Sequence, residues 1–212
     1  IFSSYLLRNP EDVPPKTTYT PKVYSSRGGV NYCRPDGWVQ VWVKAIDQDP
    51  DFAELKDWPI AYHGTDSSNL GPILEAGLRK PGELPSIQVA HGSAGAGPDG
   101  AIYVSPSLWL ASHPVFSTFL KLEESRWVQF VFKVRVRPDG YKVQPNTVST
   151  SQHWAPGLQM DPNFAHNEAL EWLVLTSENV KVVGLMLREV GVRAPCEVFG
   201  PLAAQVVENP TR

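Results

Sequence analysis

Hydrophobic residues fall in short runs that are separated by turn-forming residues along most of the chain, a pattern typical of a β-rich domain with few helices. The longest run, 127–137, alternates over Trp-Val-Gln-Phe-Val-Phe-Lys-Val-Arg-Val-Arg and is the best candidate strand. Asp139-Gly140 follows it as a hairpin signal, with 141–143 as the expected returning strand. Runs of the same kind predict strands at 38–46, 58–62, 101–105, 171–175 and 180–188.

A short helix is predicted directly after the strand that ends at His63. Leu70, Ile73 and Leu74 are spaced by three and four residues and so share one helix face. Residues 66–68 are Asp-Ser-Ser, which are favourable N-caps. Gly77 stands where a left-handed C-cap would end the helix.

A second helix is expected to start at the cap residue Ser107 and to run to about Lys121, with an interruption at Pro114. Proline and glycine mark the other stretches as irregular: 1–36, 80–100, 145–166 and the tail after Gly191. The sum of these elements is an α+β fold that is rich in strands.

Composition narrows the class of protein. The chain has 212 residues, 42% of them hydrophobic, with seven Trp, as expected for a globular chain. A net charge of −3 argues against a general electrostatic binder of nucleic acid, though not against an enzyme that acts on one. Cys33 and Cys196 imply no disulfide framework and favour an intracellular protein. No apolar run has the length of a membrane span. The start at Ile1 suggests a domain excised from a longer chain, and the domain is expected to be monomeric.

Several common catalytic motifs are missing from the sequence. It contains no phosphate-binding loop ending in Gly-Lys-Ser/Thr, no histidines at zinc-ligand spacing and no Gly-x-Ser-x-Gly elbow. No metal site is therefore expected. Four histidines stand apart from any such motif and are interpreted as surface or structural residues: His91, His113, His153 and His166.

Three separated motifs together resemble a known family. Residues 62–79, Tyr-His-Gly-Thr-Asp-Ser-Ser-Asn-Leu-Gly-Pro-Ile-Leu-Glu-Ala-Gly-Leu-Arg, are similar to the first motif of the ADP-ribosyltransferases of the poly(ADP-ribose) polymerase type. Residues 100–105, Gly-Ala-Ile-Tyr-Val-Ser, resemble that family's Gly-x-Tyr-Phe-Ala/Ser strand. Residues 171–175, Glu-Trp-Leu-Val-Leu, resemble its Glu-Tyr-x-Val stretch. The resemblance covers about 58–188, and its first motif is the most specific.

The resemblance implies a fold and a division of the chain. The fold is a β-rich ADP-ribosyltransferase-like α+β fold, in which two packed antiparallel sheets and short helices surround an NAD cleft. The catalytic core is expected at 58–190. Residues 1–57 would form an N-terminal extension packed on the core, and 191–212 a C-terminal extension.

The resemblance also implies a His-Tyr-Glu triad that acts on NAD+ as a co-substrate. Glu171 would bond the 2′-hydroxyl of the nicotinamide ribose and stabilise the cation that develops as nicotinamide leaves. His63 would bond a hydroxyl of the adenosine ribose. Tyr103 would pack under the nicotinamide. The main chain of Gly64 would bond the carboxamide, where a side chain would crowd the ligand.

Four further residues are assigned to NAD+ through the same resemblance. Thr65 belongs to the His-Gly-Thr corner, and Arg79 would reach the adenosine or diphosphate end of the dinucleotide. Relatives carry a second stacking tyrosine where this chain has Pro114, so Phe116 is the substitute, with Ser112 as the carboxamide-binding serine. The loop 80–100 would fold over the dinucleotide as a donor loop.

The implied function is transfer of ADP-ribose to a macromolecular acceptor in the cytoplasm or nucleus. Protein is the default acceptor, and both single transfer and polymer formation are compatible with the triad. One alternative is a non-catalytic module that binds NAD+ or ADP-ribose; another is RNA 2′-phosphotransferase chemistry on the same fold. Transfer to nucleic acid is a further alternative. Lys133, Arg135 and Arg137 share one parity of a strand and form either a local nucleic-acid patch or a solvated sheet face.

Overall fold

The structure is a computed structural model. The part of the chain that it describes contains three antiparallel sheets and three short α-helices. That part comprises residues 23–33, 35–43, 49–50, 52–81, 83, 100–123, 126–145, 160–161 and 163–189. The β-rich α+β class is therefore confirmed at this coarse level. Among the helices within these ranges, none has the length and apolar character needed to cross a membrane.

The strands are short apart from two. Their bounds are Val23–Arg27 (β1), Val30–Cys33 (β2), Val39–Trp42 (β3), Ile60–His63 (β4), Ile102–Val104 (β5), Phe119–Glu123 (β6), Arg126–Val136 (β7), Tyr141–Val143 (β8), Trp172–Val174 (β9) and Val180–Glu189 (β10). The helices are Phe52–Leu55 (α1), Leu70–Ala76 (α2) and Leu108–Ala111 (α3). The strands expected near 38–46, 58–62, 101–105, 127–137, 171–175 and 180–188 are all confirmed, with bounds shifted by a few residues.

The core lies between two of the sheets. The larger sheet has the order β3-β10-β7-β4, with β6 also paired to β7, and the smaller has the order β5-β9-β8. The even-numbered side chains of β7 pack against the apolar side chains of β5 and β9; the buried set includes Phe130, Phe132, Val134, Val136, Ile102, Val104, Trp172 and Val174. β3, which precedes the expected core boundary at 58, pairs with β10 in the larger sheet.

The first predicted helix is confirmed, with a 3-10 turn at its start. Asp66 caps the turn Ser67–Asn69 by accepting a hydrogen bond from the Ser68 amide, and α2 continues from it. Gly77 ends the helix at φ +74°, as its position predicted, but its ψ of −177° lies outside the left-handed helical region.

The second predicted helix, from Ser107 to about Lys121, is wrong in its length. Ser107 does cap a helix through its side chain, but α3 ends at Ala111. Pro114 follows three residues later and has no amide hydrogen for a helical bond. Beyond it Phe119 pairs with Gln129, so the last part of the expected helix is the strand β6.

The predicted hairpin at Asp139-Gly140 is also wrong. Asp139 has φ +62° and the chain turns there, but β8 pairs with β9 of the smaller sheet instead of returning along β7. The end of β7 already has a neighbour on each side, because Val136 pairs with β10 and Arg135 with β4. Tyr141 instead stacks on Trp172, with ring centroids 4.2 Å apart.

Within the stretch 1–36, which was expected to be irregular, residues 23–33 form a β-hairpin. β1 and β2 pair with each other through a two-residue loop, Gly28-Gly29, in which both glycines have positive φ. That conformation fits the right-handed twist of the flanking strands. The Gly-Gly pair was therefore a usable turn signal that the proline content of the surrounding sequence obscured. Residues 1–22 lie outside the described ranges.

Candidate active site

His63 stands at the end of β4, where the larger sheet meets the smaller one. Its Nδ1 lies 2.8 Å from the carbonyl oxygen of Tyr103. A carbonyl can only accept, so Nδ1 carries the hydrogen and Nε2 is left as an acceptor. Burial lowers the pKa of His63 below its ordinary 6.5, partly opposed by the bond to Tyr103. The imidazole is therefore neutral at pH 7 and suited to accept a hydrogen bond from a hydroxyl.

A single bridge joins the two sheets beside this histidine. Tyr62 and Ser105 exchange two main-chain hydrogen bonds of 2.7 and 2.9 Å. This bridge fixes the end of β4 against the end of β5, and it explains why the His63 ring meets the main chain of Tyr103.

Tyr103 and Glu171 project from the same face of the smaller sheet. Tyr103 pairs with Leu173, and Glu171 lies two residues before Leu173 and hence on the same side of the sheet. Diagonal neighbours of this kind are roughly 7–8 Å apart at their α-carbons, within reach of long side chains. The Glu171 carbonyl accepts a hydrogen bond of 2.9 Å from the amide of Gln144, which holds its main chain in place. The same register, continued by one residue, sets Glu171 opposite Ser105.

Gly64 has a packing reason for being a glycine. A Cβ on Gly64 would stand 1.9 Å from the carbonyl oxygen of Ala111 and 3.1 Å from Cβ of Phe116. The position that a Cβ of Gly64 would take is therefore filled by the end of α3, and the bond of its main chain to the carboxamide remains a prediction. Phe116 lies next to Gly64, but its assignment as the ring that stacks on nicotinamide remains a prediction.

The hydroxyls of Thr65 and Ser112 both have structural partners. Thr65 is buried, and its Oγ1 accepts a hydrogen bond of 2.9 Å from Nδ2 of Asn69. Ser112 is buried, and its Oγ donates to the Trp109 carbonyl at 3.3 Å. These bonds stabilise the turns on which the two residues lie. Their contacts to NAD+ remain predictions from the resemblance.

Arg79 is exposed and directly follows the buried Leu78. Two residues on, Pro81 lies against Gly100, since a Cβ on Gly100 would be 3.2 Å from the proline ring. The two ends of the segment 82–99 thus meet at its base. Most of the expected donor loop, 82 and 84–99, lies outside the described residues.

Two buried polar residues that sequence reasoning missed hold this region together. Gln129 donates from Nε2 to the carbonyls of Ser112, at 2.5 Å, and Ser117, at 3.1 Å. Asp161 accepts a 2.6 Å hydrogen bond from Ser107, whose Oγ also accepts from the Leu110 amide and caps α3. Nothing local marks Gln129, because its partners Ser112, Ser117 and Arg188 are 17, 12 and 59 positions away. Asp161 has one distant partner, Ser107, and one local partner, because it also accepts from the amide and the side chain of Asn163 two residues on.

Two hollows found in the described part of the chain lie away from the triad. One, of about 30 Å³, is lined by residues that include Cys33, Tyr62 and Asp161. The other, of about 470 Å³, is lined by residues of β3, α1, β7 and β10. His63, Tyr103 and Glu171 line neither hollow.

Comparison of the chain with family models and with curated proteins finds no match. The functional interpretation therefore depends on the motif resemblance and on the geometry just described.

Proposed function

We propose that this chain is an NAD+-dependent ADP-ribosyltransferase that uses His63, Tyr103 and Glu171. The observation that carries the proposal is the contact of His63 with the main chain of Tyr103, together with the pairing of the strand of Tyr103 with the strand that Glu171 precedes. The His63 ring is hydrogen-bonded to the main chain of Tyr103, and Tyr103 shares a face with Glu171 on neighbouring strands. The acceptor proposed is a protein side chain.

In the proposed reaction the bond between nicotinamide and C1′ of its ribose breaks, and the electron pair leaves with nicotinamide. The positive charge that develops at C1′ is stabilised by the carboxylate of Glu171, which also accepts a hydrogen bond from the 2′-hydroxyl. A nucleophilic oxygen or nitrogen of the acceptor then bonds to C1′, and its proton passes to Glu171. Neutral His63 accepts a hydrogen bond from the other ribose at Nε2, which helps to hold the dinucleotide in one orientation.

Glu171→Gln tests the proposal because it removes the charge while keeping the shape. Incubated with NAD+, the parent chain is expected to release nicotinamide and to modify itself. The variant should lose roughly a hundredfold or more of that rate, since a group that stabilises developing charge contributes on this scale. Circular dichroism and the urea midpoint should be unchanged.

Glu168→Gln is the matched control. Glu168 lies three residues earlier on an exposed 3-10 turn, Asn167–Ala169, and its substitution should leave nicotinamide release intact. Equal rates in the parent and Glu171→Gln would remove Glu171 from the mechanism. A parent chain that binds NAD+ but releases no nicotinamide would instead favour the non-catalytic binding module.

A further inference from the structure

The larger of the two hollows lies on the face of the larger sheet that points away from the smaller sheet. Its volume is about 470 Å³, and its lining includes Trp42, Phe52, Leu55, Lys56, Lys133 and Arg135. Lys133 and Arg135 are odd-numbered residues of β7, whereas the even-numbered ones face the core between the sheets. We call this site the basic hollow. His63 pairs with Phe132, whose side chain faces the core between the sheets, so His63 and the basic hollow are on opposite faces of the larger sheet.

Positive charge is concentrated at the basic hollow. Lys133 is only 7% exposed; its ammonium donates to Oε1 of Gln40 at 2.8 Å and lies 5.4 Å from the Tyr32 ring and 5.7 Å from the Trp42 ring. Burial, with repulsion from Arg135 and Arg27, lowers the pKa of Lys133 to about 8. Of the three basic residues that share this parity, Lys133 is thus buried and Arg135 half-buried, and only Arg137 is exposed.

The described residues supply little negative charge to balance these cations. No ion pair within the described ranges joins Lys133 or Arg135 to a carboxylate; the ion pairs there belong to Arg126 and Lys181. Asp57 raises the pKa of Arg135, but burial and Arg27 outweigh it and the net shift is downward. A buried cation without a paired anion is costly, so the site is favourable for an anionic ligand.

Exposed aromatic rings stand at the same hollow. Trp42 is 67% and Phe52 is 49% exposed, although both are large apolar side chains. Trp42 is on the edge strand β3, and Phe52 is the first residue of α1. Aromatic rings beside cations are the combination that binds phosphorylated planar rings, since the ring stacks while the phosphate pairs with the charge.

We propose that the basic hollow binds a free nucleoside 5′-phosphate, with the phosphate on Lys133 and Arg135 and the base against Trp42 and Phe52. The volume is that of a small-molecule site and not of an extended groove. The chain as a whole has a net charge of −3, which disfavours a polyanionic nucleic acid. This site is independent of the ADP-ribosyltransferase function proposed above.

Titration of the full chain with AMP tests the proposal. Binding is measured by calorimetry and by the NMR resonance of the Trp42 indole N–H, which is assigned by its loss in Trp42→Phe. AMP is expected to bind and to shift that resonance, with adenosine and inorganic phosphate each much weaker. Trp42→Ala should weaken the affinity for AMP roughly fivefold or more through the lost stacking. Lys133→Met should weaken the affinity for AMP roughly tenfold or more through the lost charge-assisted hydrogen bond.

Two control variants preserve the hollow. Trp109→Ala removes another exposed tryptophan, and Lys121→Met removes an exposed lysine on β6. Both should bind AMP as the parent does. Trp42→Ala alters an exposed edge residue, so the test survives even if Lys133→Met fails to fold.

The two proposed sites are separable through His63→Ala. This variant should lose nicotinamide release yet keep the AMP shift at Trp42. Trp42→Ala should keep nicotinamide release yet weaken AMP binding, as measured by calorimetry. The proposal is overturned if millimolar AMP leaves the Trp42 resonance unmoved, if adenosine binds as well as AMP, or if the control variants weaken AMP as much. A 5′-phosphorylated oligonucleotide that binds far more tightly than AMP would overturn it in favour of a nucleic-acid surface.

Discussion

Gly64 shows how one residue can be required for packing in a motif that suggests ligand binding. The His-Gly-Thr corner resembles a ligand-binding corner, and the glycine was interpreted as room for a ligand. The structure fills the Cβ position of Gly64 with the carbonyl of Ala111 at the end of α3. The glycine therefore lets the end of α3 approach β4 at this corner.

Gly64→Ala is expected to be destabilising because the added methyl group would collide with main chain, which cannot move as a flexible side chain can. Overpacking of this kind costs about 1–3 kcal/mol, occasionally more, in the free energy of unfolding. Urea denaturation followed by tryptophan fluorescence measures the loss.

The control for Gly64→Ala is Gly71→Ala. Gly71 is in α2, and a Cβ there would meet nothing within 4 Å. Alanine favours helix over glycine, so this variant should gain up to about 1 kcal/mol. If Gly64→Ala were as stable as the parent, the close approach to Ala111 would not exist in solution.

At this scale the sequence predicts residues whose partners are local. Ser107 was predicted as a cap and caps α3 as expected. Of the cap candidates at 66–68, Asp66 caps the 3-10 turn that leads into α2, whereas the N-cap of α2 itself is Asn69. Gln129 could not be identified, because a buried polar residue has no local signature when its partners come from distant strands and turns. Asp161 has a local turn partner in Asn163, but its bond to Ser107 spans 54 positions and has no local sign.

The elements follow a similar rule, since local patterns predict strands better than they predict partners. The position of β8 was predicted, but its pairing was not, because the pairing depends on which edges β10 and β4 have already occupied. The length of α3 was misjudged because Pro114 and the β6–β7 pairing together end it. The pairing of β8 and the end of α3 therefore depend on the arrangement of the whole sheet and not on local sequence.

Ser107→Ala tests how α3 is held in place. The hydroxyl caps the helix through the Leu110 amide and donates to the buried Asp161, so the variant loses a cap and leaves a buried carboxylate oxygen without its donor. The expected loss is about 2–3 kcal/mol, the sum of a cap and of an unsatisfied buried acceptor. Urea denaturation again gives the free energy of unfolding.

Ser68→Ala is the control for that variant, because Ser68 is exposed and its hydroxyl donates only to its neighbour Asp66. Its cost should stay within about 0.5 kcal/mol. If Ser107→Ala cost no more than Ser68→Ala, the Ser107–Asp161 bond would contribute nothing to the position of α3.

On the scale of the whole molecule, the larger sheet carries a different candidate site on each side. His63 is on the face that packs toward the smaller sheet, whereas the neighbouring Tyr62 pairs with Lys133 on the other face. The candidate site with His63, Tyr103 and Glu171 was predicted from the motif resemblance. The sequence predicts only part of the basic hollow. The parity of Lys133 and Arg135 gives the sheet face on which they lie, but neither their burial nor the approach of Trp42 and Phe52 follows from it.

Burial of Lys133 should cost stability at neutral pH. Its pKa is about 8 in the folded chain against an ordinary 10.5, so below pH 8 it is charged in both states and the folded state bears the full penalty. Between pH 8 and 10.5 the folded state releases the proton first, and this contribution to stability rises with pH. Above 10.5 the residue is neutral in both states and the penalty is gone.

Lys133→Met should therefore raise the free energy of unfolding at pH 7, by on the order of 1–3 kcal/mol after the lost bond to Gln40 is counted. The gain over the parent should shrink from pH 8 to 10.5, as urea denaturation across that range would measure. Lys121→Met, which removes an exposed lysine, should differ from the parent by less than about 0.5 kcal/mol at every pH. A stability gain combined with lost AMP binding is what a charge kept for a ligand predicts. If Lys133→Met were less stable than the parent, with a difference that does not change with pH, Lys133 would be a structural residue and the basic hollow would lose its main support.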